Sequence, residues 1–256
     1  MKKTVYRWGW VVALAMLAGG AQARTDGEKA VVGIGELLKA DDCAGAVKAL
    51  NAGLQAGYPE AALLAGTMFE AGFCVKKNWD KAVGFYTQAH DGGIREGALR
   101  LAAGFADTAN GPDAAAALWW AKRARLDAGT CTSRLPDADD PDRFVEALRA
   151  WPAREVKFCN YVAGVMSFMT ADARYPMAGI SREAMGIVEV AWTPARHHFT
   201  TQGLSGTTGP AQENMVAAVK QSISLAGARY QMPLGVSPKW QIAFNLVFDI
   251  DRSRWW

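Results

Sequence analysis

The sequence predicts an α + α/β organisation: an α-helical repeat solenoid followed by a small two-layer α+β domain with a three-stranded antiparallel sheet. Three observations carry that expectation. The first half matches itself at an offset of 36 residues, and the composition turns polar and Pro/Asp-rich after Gly129. The last third alternates apolar and polar residues on either side of one amphipathic segment. A chain that is 50% hydrophobic, 10% aromatic and only 21% charged is too apolar for disorder and can build a sizeable core.

The formal charge of +3 is concentrated at the start, in Lys2, Lys3 and Arg7. An apolar run over 8–17 follows, then a small-x-small ending at Ala21-Gln22-Ala23. A positive start, a short apolar stretch and small residues at a cleavage point make residues 1–23 a secretory signal peptide. The apolar run is about half the ~20 residues that a membrane-spanning helix needs. No cysteine adjoins the cleavage point, so the expected product is a periplasmic protein, not a lipoprotein, with no integral membrane segment. Removing residues 1–23 takes three of the 28 positive side chains and none of the 25 acids, leaving 233 residues with 25 of each. A balanced chain lacks the excess of Lys and Arg that binding to nucleic-acid phosphates requires. In an exported protein the even set Cys43, Cys74, Cys131 and Cys159 reads as two disulfides, with three pairings open.

In the repeat region Asp42-x3-Ala46 aligns with Asn78-x3-Ala82, Gly57 with Gly93, Glu60 with Glu96, and Leu63 with Leu99. Residues 59–71 and 94–107 are Ala/Leu-rich helices, whereas 78–92 and 112–128 carry the aromatic pairs Phe85-Tyr86 and Trp119-Trp120 among alanines. Gly72, Gly92 and Gly93 mark helix ends. The string Gly57-x3-Ala61-x4-Gly66-x5-Gly72-x2-Val75-x2-Asn78-x3-Ala82-x2-Phe85-Tyr86-x2-Ala89-x3-Gly93 resembles a Sel-one-like repeat, a relative of the tetratricopeptide helix pair. Residues 94–128 resemble a degraded second copy with Gly97, Leu101 and Ala102 at its small and apolar positions, and 27–57 an N-terminal copy matching from Asp42 onward. The resemblance implies that small residues admit the aromatic of the next helix. It also implies a Cys43–Cys74 bridge, because adjacent repeats stack those ends, which leaves Cys131 and Cys159 to clamp the connector.

The domain plan is therefore repeats over 24–129, a disulfide-clamped helical connector over 130–172, and a third unit over 173–256. Within the connector, 143–150 and 153–170 read as helices separated by Trp151-Pro152. In the third unit Ile187, Val188, Val190 and Trp192 form one extended run, Thr193-Pro194 a turn, and His198-Phe199-Thr200-Thr201 a second strand. Residues 210–226 are an amphipathic helix with Met215, Ala218, Val219, Ile223 and Leu225 as apolar positions, and 240–250 alternate as a half-buried strand. The order of Tyr175-Pro176, Gly186, Val188, Val190, Thr193-Pro194, Ser205-Gly206, Pro233 and the final strand resembles the C-terminal domain of the TonB energy-transducer family. Arg196 stands where that family has a turn glycine. The family's membrane helix and long Pro-rich segment have no counterpart in the sequence, so the resemblance implies the fold more than the transduction.

Chemistry is sparse. His90 reads as a packed or solvated helix residue, and His197-His198 point to opposite faces of a strand, a poor chelate. Asp41-Asp42 and Asp139-Asp140 read as helix caps or solvated charge. Trp119, Trp120 and Trp192 read as core, and Trp255-Trp256 as exposed. Phosphate loops, dinucleotide fingerprints and nucleophile elbows are absent from the sequence. No catalytic, metal or cofactor set is expected.

The functional expectation is a non-enzymatic protein–protein interaction scaffold or adaptor of the cell envelope, with a protein partner. The strand residues Trp240, Gln241, Ile242, Ala243, Phe244, Asn245 and Leu246 are the expected partner-binding edge, with capping of that edge by 251–256 as the alternative. The second functional reading is a TonB-related accessory transducer of energy or signal to an outer-membrane receptor, which requires an anchor. N-terminal sequencing of the exported protein is expected to start at Arg24, and a retained 1–23 segment would favour the transducer instead.

Overall fold

The structure is a computed structural model that describes residues 25–172, 186–193, 198–206, 208–237 and 239–248. The expected signal peptide, Tyr175-Pro176, the expected turn at Pro194, His197 and the tail with Trp255-Trp256 lie outside the described residues. What is described is mostly helical, with one three-stranded antiparallel sheet, an α+β architecture.

Six helices come first, in pairs joined by short turns: α1 (Asp26–Lys39) with α2 (Cys43–Gln55), α3 (Pro59–Ala71) with α4 (Trp79–Asp91), and α5 (Arg95–Ala106) with α6 (Ala114–Arg123). Local chemistry fixes where they begin. Thr25 and Glu28 form a reciprocal capping box on α1. Asp42 accepts from the Gly45 amide, Asn78 from Lys81 and Asp113 from Ala115 and Ala116, each side chain satisfying amide donors that a helix start leaves open. The last helix of the six is shorter than the sequence suggests, because Arg125 adopts a left-handed conformation with φ 50° and turns the chain out of α6.

Small residues set the spacing between pairs. A Cβ at Gly66 would lie 2.5 Å from the Tyr86 ring, which is fully buried, and a Cβ at Gly104 would collide with the Trp79 ring. Each aromatic thus occupies the volume its glycine vacates on a neighbouring helix. Cys43 and Cys74 are bridged across the α2 start and the loop before α4, and Cys131 is bridged to Cys159.

The connector holds the short α7 (Thr130–Ser133), α8 (Pro141–Leu148), whose N-cap is Asp140, and α9 (Ala153–Asp172). Then follow β1 (Gly186–Thr193), β2 (His198–Gly206), α10 (Pro210–Arg229) and β3 (Ile242–Phe248). The strand order is β2-β1-β3, with β1 central and both pairings antiparallel. β2 runs further than the sequence suggests: Ser205-Gly206 pair with Ile187 and Gly186 beyond a bulge. β3 starts two residues later than expected, since the Trp240 amide is held in a turn by the Ser237 carbonyl at 2.9 Å.

Val188, Val190 and Trp192 point from β1 into the core, facing the buried Met215, Val219, Ile223 and Ala226 of α10. The largest core cluster runs unbroken from Ala98 in α5 through α6, the connector and α9 to β1, α10 and β3. Trp192 belongs to that core as expected, whereas Trp119 and Trp120 are only partly buried against it. His90 packs edge-on against Trp120, with ring centroids 5.5 Å apart.

Gly66→Ala is expected to force the methyl into the Tyr86 ring and to lower stability by about 1–3 kcal/mol, the usual cost of overpacking. Urea denaturation of the two chains, with equal slopes, checks it.

Candidate functional site

A groove of about 1100 Å³ runs between the sheet and the helix pairs. Its floor is α9, which presents Phe158, Val162, Met166 and Thr170 to it. Those residues recur every four positions and form one stripe about 18 Å long at 1.5 Å rise per residue. Three of the four are apolar, and Val162 and Met166 are buried within the core cluster. Leu99 of α5 extends the apolar floor.

One wall is β3. Successive residues from Trp240 to Leu246 all line the groove, so its long axis follows the strand's outer edge, not one of its faces. Among the described residues β3 pairs with β1 alone. An antiparallel strand paired on one side directs every second N–H and C=O away from its neighbour. These groups lie along the groove over about 15 Å, given the five strand residues from Ile242 to Leu246 at roughly 3.3 Å each. Along the same strand Ile242 and Leu246 are buried and Phe244 half-buried, while Gln241, Ala243 and Asn245 are exposed. The expected edge residues are thus brought together on one groove, with Trp240 and Gln241 just ahead of the strand. The Trp240 ring lies 4.5 Å from that of Phe158 and packs also against Tyr161, closing the floor at the strand's start.

The opposite wall combines the start of α5, from Gly93 to Glu96, with the segment from Arg125 to Cys131. Arg95 fastens the two parts by donating from Nε to the Ala124 carbonyl at 2.6 Å. Cys131 and Cys159, both buried, join this wall covalently to the floor helix. The cysteines expected to clamp the connector therefore also fix the cross-section of the groove.

A second, polar cleft of about 500 Å³ lies on another flank of α9. Arg229, at the end of α10, donates from Nε to Asp107 Oδ2 at 2.5 Å and from Nη2 to Glu70 Oε1 at 2.6 Å. Desolvation works against the guanidinium charge, but Tyr230, Glu70 and Asp107 outweigh it and raise the pKa, so the group stays charged. Burial, and then the charge of Glu70, push the Tyr86 phenol up, and it remains a donor to Glu70 Oε2 at 2.6 Å. Arg100, which also pairs with Glu96 on its own helix, joins α5 to α9 by donating to the Ala171 carbonyl at 3.0 Å.

Sequence patterns did not single out the floor stripe or the Arg229 cluster. The stripe has a signal, its four-residue period, but α9 is apolar around most of its girth and hides it. The cluster has none, since Arg229 is 159 positions from Glu70 and 122 from Asp107. Among the described residues no group of three or more His, Cys, Asp or Glu side chains is placed to hold a metal ion, and no helix is long and apolar enough to cross a membrane. No protein-family model, curated protein or solved structure matches the chain.

Replacing both Cys131 and Cys159 by Ser is expected to cost about 3–4 kcal/mol by the chain-entropy relation for a loop of 28 residues. Amides of 125–131 should exchange faster in that variant than in the parent, and hydrogen exchange measured on both checks whether the wall has loosened.

Proposed function

We propose that the chain is a non-enzymatic interaction protein of the periplasm, which captures an extended segment of an envelope protein by strand addition to β3. In this reading the three helix pairs are a short solenoid of Sel-one-like repeats, and the ββαβ unit with its sheet is a relative of the TonB C-terminal domain. The observation that carries it is that, among the described residues, the edge of β3 turned away from β1 has no strand partner and lies along a groove with an apolar floor. Main-chain bonds to such an edge supply affinity without sequence preference, and pockets beneath it select every second side chain. The floor of Phe158, Val162, Met166 and Leu99 favours a segment of about six residues with aliphatic or aromatic side chains at alternate positions. The lining follows consecutive residues from Trp240 to Leu246, which favours an extended peptide over a compact metabolite. The two disulfides suit an oxidising compartment, which supports the periplasmic assignment.

Peptides selected from a random displayed library on the disulfide-intact chain are expected to alternate apolar and polar residues and to slow exchange of alternate β3 amides. Proline at Ala243 and, separately, at Phe244 removes an amide from each side of the strand in turn. The variant whose lost amide faces the groove should keep its melting temperature and lose peptide retention. Unchanged retention in both folded variants would remove strand addition as the binding mode.

A further inference from the structure

The groove's two walls belong to different parts of the molecule. The wall formed by 93–96 and 125–131 is stapled to α9 by Cys131–Cys159, whereas β3 is paired to β1 in the sheet that packs on α10. The spacing between the walls is therefore set by how the sheet and α10 sit on the helical body.

Two kinds of contact set that seat. Apolar packing of Trp192 and Trp240 on Tyr161, and of Tyr230 on Phe168, holds the parts together but is non-directional. The polar ties are directional. Tyr230 donates to the Ala103 carbonyl at 2.9 Å, Ser222 donates to Asp172 at 3.1 Å, Arg154 donates to the Gly235 carbonyl, and Arg229 spans Glu70 and Asp107. Arg229 alone among these reaches two helix pairs at once, α3 through Glu70 and the end of α5 through Asp107.

Both acids are held before Arg229 meets them. Glu70 is fixed by the Tyr86 hydroxyl, and Asp107 is the C-cap of α5, its Oδ1 accepting from the Ala109 amide at 2.8 Å. A planar guanidinium that engages two pre-positioned carboxylates fixes an orientation as well as a distance. The cleft that contains it is bordered by Phe168 and Asp172, on the side of α9 nearly opposite the adjoining stripe residues Met166 and Thr170. A restraint on that flank opposes any rotation of α10 and the sheet about α9.

We propose that Arg229 is a positioning residue, a latch whose grip on Glu70 and Asp107 sets the width of the groove beside β3. Its bearing on peptide capture rests on the reading of the groove given above; its effect on the spacing does not. With the latch closed the walls keep one separation, and a segment binds a preformed site. With it open the sheet rocks on α9, and binding must also select the competent spacing, which weakens it.

Spin labels carried on non-cysteine residues at the exposed positions 127 and 243, one on each wall, report the spacing in the full, disulfide-intact chain. The parent is expected to give one narrow distance distribution. Arg229→Met, which keeps an apolar stem over the Phe168 ring, is expected to give a broader distribution shifted outward, with unchanged helix content. Arg229→Lys should fall between the two, because an ammonium cannot grip both acids in one plane. An unchanged distribution in folded Arg229→Met overturns the latch. If that variant does not fold, Glu70→Gln, which leaves Arg229 on Asp107, decides in its place by the same broadening or its absence. Library-selected peptides should bind the Met variant more weakly than the parent. Failure to select any peptide would remove the groove reading and leave the distance result standing.

Discussion

The burial of α9 is the constraint on which the other parts depend. Nine consecutive residues, from Tyr161 to Met169, are withdrawn from solvent, so this stretch is surrounded and has no outward face. A helix in that position must have partners on every side. The pairs α5 and α6 supply one, α10 another, and the aromatics Trp192 and Trp240 a third. Gly164 marks the tightest point, where an added Cβ would stand 2.5 Å from Ala106 of α5 and 2.9 Å from the Tyr230 ring. The helix pairs and the sheet-bearing unit thus meet through one missing side chain, and separating them would expose the apolar surface of a 20-residue helix.

That arrangement explains why the groove exists. Partners crowd α9 at Tyr161, Gly164 and Phe168, and the stripe from Phe158 to Thr170 lines the space between them, buried at Val162 and Met166 and half-buried at its two ends. The covering elements cannot close over it. On one side the wall of 125–131 is tied to Cys159, and on the other the sheet is held by its seat on α10. An apolar stripe left between two fixed walls, with a strand edge along one of them, follows from how the helix is packed.

The extent to which this was legible in the sequence divides along physical lines. Features decided within a few residues could be read: the capping side chains Asp42 and Asp140, the alternation of β1 and β3, and the punctuation by Gly72 and Gly93. Both cysteine pairs formed as the repeat resemblance implies. The end of α6 and the second half of β2 could not be read, because a left-handed Arg125 and a bulge opposite Val188 obey tertiary demands that no local preference announces. The candidate groove was half legible. Its strand wall is a pattern of period two, but its floor and far wall come from α5, the 125–131 segment and α9, whose meeting is a property of the packed chain.

The walls also bear on a hazard that an open edge brings. A long, alternating strand with unpaired main-chain groups invites pairing with the same strand of another copy. Side-by-side sheet pairing requires the two edges to approach with nothing standing beside them. Here the second wall rises along the edge of β3, and the Cys131–Cys159 bridge holds it to the floor. A folded sheet brings its own neighbouring strand and layer of helix, which that wall obstructs, whereas a single extended segment brings only its own width. In the proposed reading the recess therefore separates two events that share the same hydrogen-bonding chemistry, hindering a second copy of the sheet while admitting a single strand.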